Sequence, residues 1–209
     1  MSTIDAFFDS VDQNRILRLK ELMETKRILT QPIASDVYDV HSRAAVVLAY
    51  AAWEGFFNQC VNSYIDALKT LGISVKDAHW LMLVGSLTAQ FESLRSRNHS
   101  LAAKSEFIDS LQMKLVSDFE DFDRTIITSK SNLDFEKLRT CLGLMGLSYA
   151  SFLRNRIRID KELVGWRHGV AHGDPPSLAT MDIEDHIRFT SDLMLNVADT
   201  FQEAILNAI

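Results

Sequence analysis

The residues that interrupt helices are scarce in this chain: it has eight glycines and three prolines in 209 residues. So few breakers favour long helices. Strand signals are missing too. No segment sustains a two-residue alternation of apolar and polar side chains, and neither Asn-Gly nor Asp-Gly is present to close a tight hairpin. Only two cysteines occur, Cys60 and Cys141, far apart and outside any Cys-x-x-Cys spacing. That excludes a disulfide scaffold and reads as two small buried hydrophobes in a reducing compartment. The longest unbroken apolar run, Ala44 to Trp53, is too short to span a bilayer. The opening residues Met1 to Asp5 carry no basic stretch ahead of an apolar one, as a secretory signal would. The expectation is a cytoplasmic protein with no membrane partner. Positive charge is also short, with 22 Lys and Arg against 28 Asp and Glu, a net charge of -6. The chain as a whole therefore repels a polyanion, and any nucleic-acid contact has to be local. There is no P-loop, no Gly-x-Gly-x-x-Gly and no Gly-x-Ser-x-Gly, so nucleotide-dependent and serine-hydrolase chemistry has no local support.

What is present is a 47% hydrophobic composition patterned at helical spacing. Ile16, Leu19, Leu22 and Met23 mark a first amphipathic helix, ended at or just before Pro32. A second helix is expected from about Asp36 to Leu71, apolar nearly all round between Ala44 and Phe57 and therefore central, with Gly72 as its terminator. Trp80, Leu81, Leu83, Val84, Leu87 and Phe91 predict a third helix over Ser74 to Ser96. Arg97 to Ser100 reads as a loop. Phe107, Leu111, Leu115, Phe119 and Phe122 predict a fourth helix, from Ala102 to Thr128, broken by Ser129 to Asn132. Asn132 or Asp134 is placed to cap a helix through Leu144, closed by Gly143 and Gly146. Another is expected from Asp160, as cap, to Gly173 before Pro175 and Pro176. The last starts near Asp182, with Ile183, Ile187, Thr190, Met194, Val197, Phe201 and Ile205 as its stripe. The sum is an all-α bundle of about six or seven helices in one domain over residues 1–209. Residues 1–35 form an N-terminal helix and loop readable as an appendage, and residues 36–209 form the core.

Chemistry concentrates in Trp166-Arg-His-Gly-Val-Ala-His-Gly173. Arg167 offers a planar, permanently charged donor fork suited to phosphate. His172 can give or take a proton near neutral pH. His168 lies four residues before it, so the two imidazoles share a helix face. Arg167, five before His172, falls about 140° away around a regular helix, so one helix alone does not close both on one small group. Read by itself, Arg followed five residues later by His is a weak motif. A surface Arg and a partly buried His explain it as well. Gly165, Gly169 and Gly173 recur every four residues, and glycine within a helix costs about 1 kcal/mol relative to Ala. Their common face suggests close approach of a backbone or a ligand. Arg154, Arg156, Arg158 and Lys161 form the one local basic cluster, readable as a phosphate-binding flank or as a solvated helix face. Glu54 interrupts the most apolar helix. Trp53, Trp80 and Trp166 read as core or interface residues.

The arrangement Arg-polar-x-x-x-His resembles the signature of the HEPN superfamily, and Ile159 to Gly173 resembles that family's helix leading into Arg-Asn-x-Ile-Ala-His-Gly. Trp53-Glu-Gly-Phe-Phe57 within Ala45 to Phe57, and Lys130-Ser-Asn-Leu133 followed by Leu138 to Gly146, are similar to the MAE_28990/MAE_18760-like HEPN nucleases of toxin and phage-defence genes. His168 departs from the more usual Asn at that position but stays polar. The resemblance implies an all-helical homodimer whose two motif helices build one composite site for cutting RNA without a metal or cofactor. It assigns His172 as general base or acid, Arg167 as stabiliser of phosphate charge and His168 as an orienting group. Glu54 becomes the polar residue of an earlier helix that faces the motif, and Arg154, Arg156, Arg158 and Lys161 flank the RNA. It further implies an antitoxin or defence-system partner protein. Two other readings remain open on the sequence. One is a dimeric HEPN fold without catalysis, acting as an interaction module. The other is a zinc site on His168 and His172 with a distant third ligand such as His186 or Asp174, although Gly169 stands where a zincin carries its Glu.

Overall fold

A computed structural model describes residues 2–31, 35–129, 132–174 and 177–208, with the side chains of 35–38 set aside. Pro32, Lys130, Ser131, Pro175 and Pro176 lie outside the described residues. The architecture is all-α, with no strand among the described residues. No helix among them is long and apolar enough to cross a membrane.

Helix α2, Ser35–Thr70, is the axis of the fold. Its buried residues run round most of its circumference: Ala45, Val46, Ala49, Tyr50, Trp53, Phe56, Phe57, Cys60, Val61, Tyr64 and Ile65. Helices α1, Thr3–Leu29, and α10, Ile183–Asn207, pack on it and on each other. Phe57 and Tyr64 of α2 meet Phe201 of α10 with ring centroids 6.1 and 5.6 Å apart. The predicted stripe of α10, from Ile183 through Thr190 to Ile205, is buried throughout, and Asp182 caps the helix by accepting from the Asp185 amide at 3.0 Å. Phe7, Val11 and Leu22 carry α1 into the same core, whereas Ile16 and Met23 of the expected apolar face are exposed. Both cysteines are free and buried.

Residues 74–128 depart from the sequence expectation. Instead of one helix from Ser74 to Ser96 there are three, α3 Val75–Ala78, α4 Leu83–Ser86 and α5 Thr88–Ser96, with a 3-10 turn Trp80–Met82 between the first two. Helix α6, Leu101–Leu115, stops well short of Thr128. Beyond it Phe119 and Phe122 leave helical geometry and are buried in the core. The backbone bonds that compete with helix continuation are visible. The Val75 amide donates to Ser117 at 3.0 Å and the Asp123 amide to Gly85 at 3.1 Å. A Cβ on Gly85 would stand 2.6 Å from the Phe122 ring, so this glycine lets the loop close down. Trp80, Val84 and Phe91, expected on an inward face, are exposed.

Helix α7, Phe135–Leu144, begins at Asp134, whose carboxylate accepts from the Lys137 amide at 2.7 Å. It ends at Gly146 in the left-handed conformation, φ 73°. His79 packs on that turn and its Nδ1 lies 3.3 Å from the Leu144 carbonyl. This contact ties the 74–128 region to the core. Gly146→Ala is expected to incur about 1–2 kcal/mol of left-handed strain, plus the displacement of His79, whose ring would lie 2.4 Å from the new Cβ. Gly72→Ala, at φ 68° with nothing within 4 Å, should incur only the strain. Urea unfolding of the two variants measures the difference, and equal losses would show that His79 does not brace the turn.

Candidate active site

The chain reaches the Trp166–His172 motif along one continuous helical path that changes pitch three times: a 3-10 stretch Ala150–Asn155, α8 Arg156–Arg158, a π-helical turn Ile159–Gly165, and α9 Trp166–His172. Asp160 does not start this path as a cap, since the path is already helical before it. Its carboxylate turns to the neighbouring helix and accepts from the Phe135 amide at 2.8 Å, a second cap for α7. The π-turn explains Gly165. A Cβ there would sit 3.2 Å from the Asp160 carbonyl five residues back, tighter than ordinary contact. Gly173 ends α9 with φ 76°, and a Cβ on it would meet nothing within 4 Å. No described backbone of the same chain packs on Gly173, so the close approach expected of a shared glycine face is not made there.

Within α9 the predicted side chains divide. His168 and His172 are both exposed and share a face, their ring centroids 4.2 Å apart and planes at 49°. They line an open depression of about 580 Å³ with Lys161, Gly165, Trp166, Gly169 and Asp174. Arg167 turns toward α2 instead, its guanidinium carbon 4.8 Å from the centroid of the Tyr50 ring. One chain thus leaves Arg167 and His172 on different faces of the motif helix, as the spacing predicts.

Glu54 stands one turn beyond Tyr50 on α2 and is half-buried. It makes no ion pair with Arg167. Its carboxylate accepts from the Ser129 hydroxyl at 2.5 Å and interacts with the Tyr50 phenol. Burial above all, with Glu54 adding to it, pushes the Tyr50 phenol well above its ordinary range, while the Leu133 amide and, less, Arg167 pull the other way. Tyr50 is the residue that sequence reasoning missed. The available signal was a Tyr four residues before the only carboxylate of the apolar stretch from Ala44 to Phe57.

The basic cluster also divides. Arg158 is committed to the fold: it lies 4.0 Å over the Phe189 ring and pairs with Glu162 at 2.8 Å and Asp185 at 2.7 Å. Arg156 leans over the Phe135 ring at 5.7 Å and stands 4.0 Å from Asp160. Arg154 and Lys161 are exposed, and of the four only Lys161 lines the histidine depression.

Trp166 separates that depression from a second cleft, of about 360 Å³, and its indole stacks on His186 at 5.6 Å and 32°. His186 is 1% exposed, and neither ring nitrogen has a hydrogen-bond partner among the described residues. It is therefore not arrayed with His168 and His172 as a third ligand, and among the described residues no three His, Cys, Asp or Glu side chains group closely enough to hold a metal ion.

Burial, reinforced by Arg158 and opposed by Asp185, lowers the His186 pKa to about 4. The unfolded chain takes up this proton near its ordinary pKa of about 6.5. The folded pKa is depressed, so stability is fully present above the unfolded value and falls as pH drops toward the folded one. The total loss is on the order of 3 kcal/mol. Urea unfolding should find the wild type losing about 2 kcal/mol more than His186→Phe between about pH 7.5 and pH 5. Coincident pH profiles would mean that His186 is not a buried neutral imidazole.

The family model described as RiboL-PSP-HEPN matches residues 13–203. No curated protein and no solved structure matches the chain.

Proposed function

Because this chain belongs to the RiboL-PSP-HEPN family, we propose that it is a metal-independent endoribonuclease whose site is completed by a second copy. The observation that carries this reading is the division of α9: an exposed imidazole pair on one face, and on another a guanidinium held by a ring. Neither face alone has what phosphodiester cleavage needs, and two motif helices meeting across a two-fold axis supply both. Helix α2, which carries Tyr50, leaves Val40, Val47 and Leu48 exposed at 60%, 39% and 48%. These side chains and the open position of Gly173 at the end of α9 offer an apolar interface for that second copy.

The chemistry needs only the RNA and these side chains. The ribose 2′-oxygen attacks the adjoining phosphorus, forming a 2′-O–P bond as the P–O5′ bond breaks. The 2′-hydroxyl proton passes to the imidazole of His172, and that imidazole, having taken it up, gives a proton to the departing 5′-oxygen. The products end in a 2′,3′-cyclic phosphate and a 5′-hydroxyl. Arg167 stabilises the charge gathering on the phosphoryl oxygens, and His168 orients His172 through their ring contact. Arg154, Arg156 and Lys161 attract the flanking strand from the surface, whereas Arg158 serves the fold. The restriction to RNA follows from the internal 2′-hydroxyl. The likeness to toxin and phage-defence nucleases supports a role as a cytoplasmic effector restrained by an antitoxin or a defence-system partner.

Purified protein should cleave RNA in the presence of EDTA. His172→Ala should stay folded and lose about 10²- to 10⁴-fold in rate. Full activity in that variant would overturn the assignment. A folded dimer without any RNase activity would instead make the chain an interaction module. Arg167→Ala should lose rate more than RNA affinity, as measured by single-turnover kinetics beside binding titrations. Lys161→Gln should lower the slope of log affinity against log salt by about 0.7. Arg158→Gln should leave that slope in place and lower stability. The reverse pattern would put the RNA path over Arg158.

A further inference from the structure

Three arginines on the motif path lie over aromatic rings, and two of them, Arg158 and Arg167, differ in what occupies their edges. Arg158 spends its donors on Glu162 and Asp185 while stacked on Phe189. Arg167 lies over Tyr50 with no carboxylate partner and no hydrogen bond among the described residues. An aromatic face holds a guanidinium by its plane and leaves its N–H edge free, whereas an ion pair consumes the edge. A phosphate-binding arginine that must be fixed before substrate arrives is served by the first arrangement and defeated by the second.

The Tyr50 ring is itself fixed. Its hydroxyl accepts from the Leu133 amide at 2.9 Å and interacts with the Glu54 carboxylate, which raises the phenol's pKa. Glu54 is held by the Ser129 hydroxyl at 2.5 Å. Asn58, one turn further along α2, exchanges two bonds with the Ser129 backbone, at 2.8 and 2.9 Å. Tyr50, Glu54 and Asn58 are spaced i, i+4, i+8 and form one stripe.

We propose that Tyr50 is a positioning residue for Arg167, presenting the guanidinium edge to phosphate, and that Glu54 acts by fixing the Tyr50 ring rather than by touching RNA. This rests on the ribonuclease reading for its kinetic consequence but not for its geometric one, and the experiment has an arm for each.

In the full-length protein the Arg167 side-chain N–H resonance, assigned by its loss in Arg167→Ala, should be displaced by the Tyr50 ring current. Tyr50→Leu should abolish that displacement, Tyr50→Phe should keep most of it, and Glu54→Gln should reduce it. In single-turnover cleavage Tyr50→Leu should lose about 10²-fold in rate, the effect of a misplaced catalytic group, with RNA affinity unchanged, and Tyr50→Phe should recover most of that loss. An Arg167 resonance indifferent to Tyr50→Leu overturns the proposal. So does a Tyr50→Phe variant as slow as Tyr50→Leu. Should Tyr50→Leu fail to fold, the resonance in Tyr50→Phe and Glu54→Gln decides. If no variant, nor the wild type, cleaves RNA, the resonance arm alone decides the positioning and the cleavage reading falls separately.

Discussion

The structure depends on how helix α2 satisfies one stretch of non-helical backbone. Leu133 is buried, and a buried amide and carbonyl without partners would each cost about 1–3 kcal/mol. Both are met by α2 side chains: the amide donates to the Tyr50 hydroxyl at 2.9 Å, and Trp53 Nε1 donates to the carbonyl at 3.1 Å. Four residues earlier Asn58 does the same for Ser129, whose hydroxyl donates to Glu54. The central helix therefore anchors the segment that leads into α7, and Asp160 on the motif path caps α7 from the other side. The Tyr50 ring beneath Arg167 joins this polar stripe to the motif helix. Fold and site share these few atoms.

Much of the bundle was legible in the sequence where one helix face alone meets the core. Helix α10 shows this best: a single stripe, a capping Asp182 and no rival partner, so periodicity and burial agree from Ile183 to Ile205. Helix α2 was legible for a different reason, since an apolar stretch of that length without proline has to be surrounded. The 74–128 region was not, because its aromatic spacing is helical but its backbone is claimed by tertiary bonds, Val75 to Ser117 and Asp123 to Gly85. Phe119 and Phe122 keep their inward role and lose their helix. Trp80 and Phe91 keep the helical spacing and lose their burial.

At the site, the shared face of His168 and His172 followed from their spacing, and so did the separation of Arg167 from His172. What the spacing could not convey was the π-turn ahead of α9. With the 3-10 stretch before it, the path changes pitch repeatedly between Arg154 and Arg167, and the basic cluster divides into one arginine locked in the fold, one over Phe135, and others left at the surface. Tyr50 was hidden because a tyrosine in an apolar helix looks like core, and only the bonds to Leu133 and Glu54 give it a direction.

The separation within α9 is the centre of the account: under the proposed function, an arginine fixed against its own chain and histidines turned outward act together across an interface between two copies. Mixing folded, individually inactive Arg167→Ala and His172→Ala proteins, with subunit exchange, tests this most directly. A mixed dimer retains one Arg167 and one His172 on opposite subunits. The account predicts that RNA cleavage returns on mixing, in proportion to the mixed dimer formed. Mixed dimers that form and stay inactive would contradict it, because the two groups would then have to act within one chain.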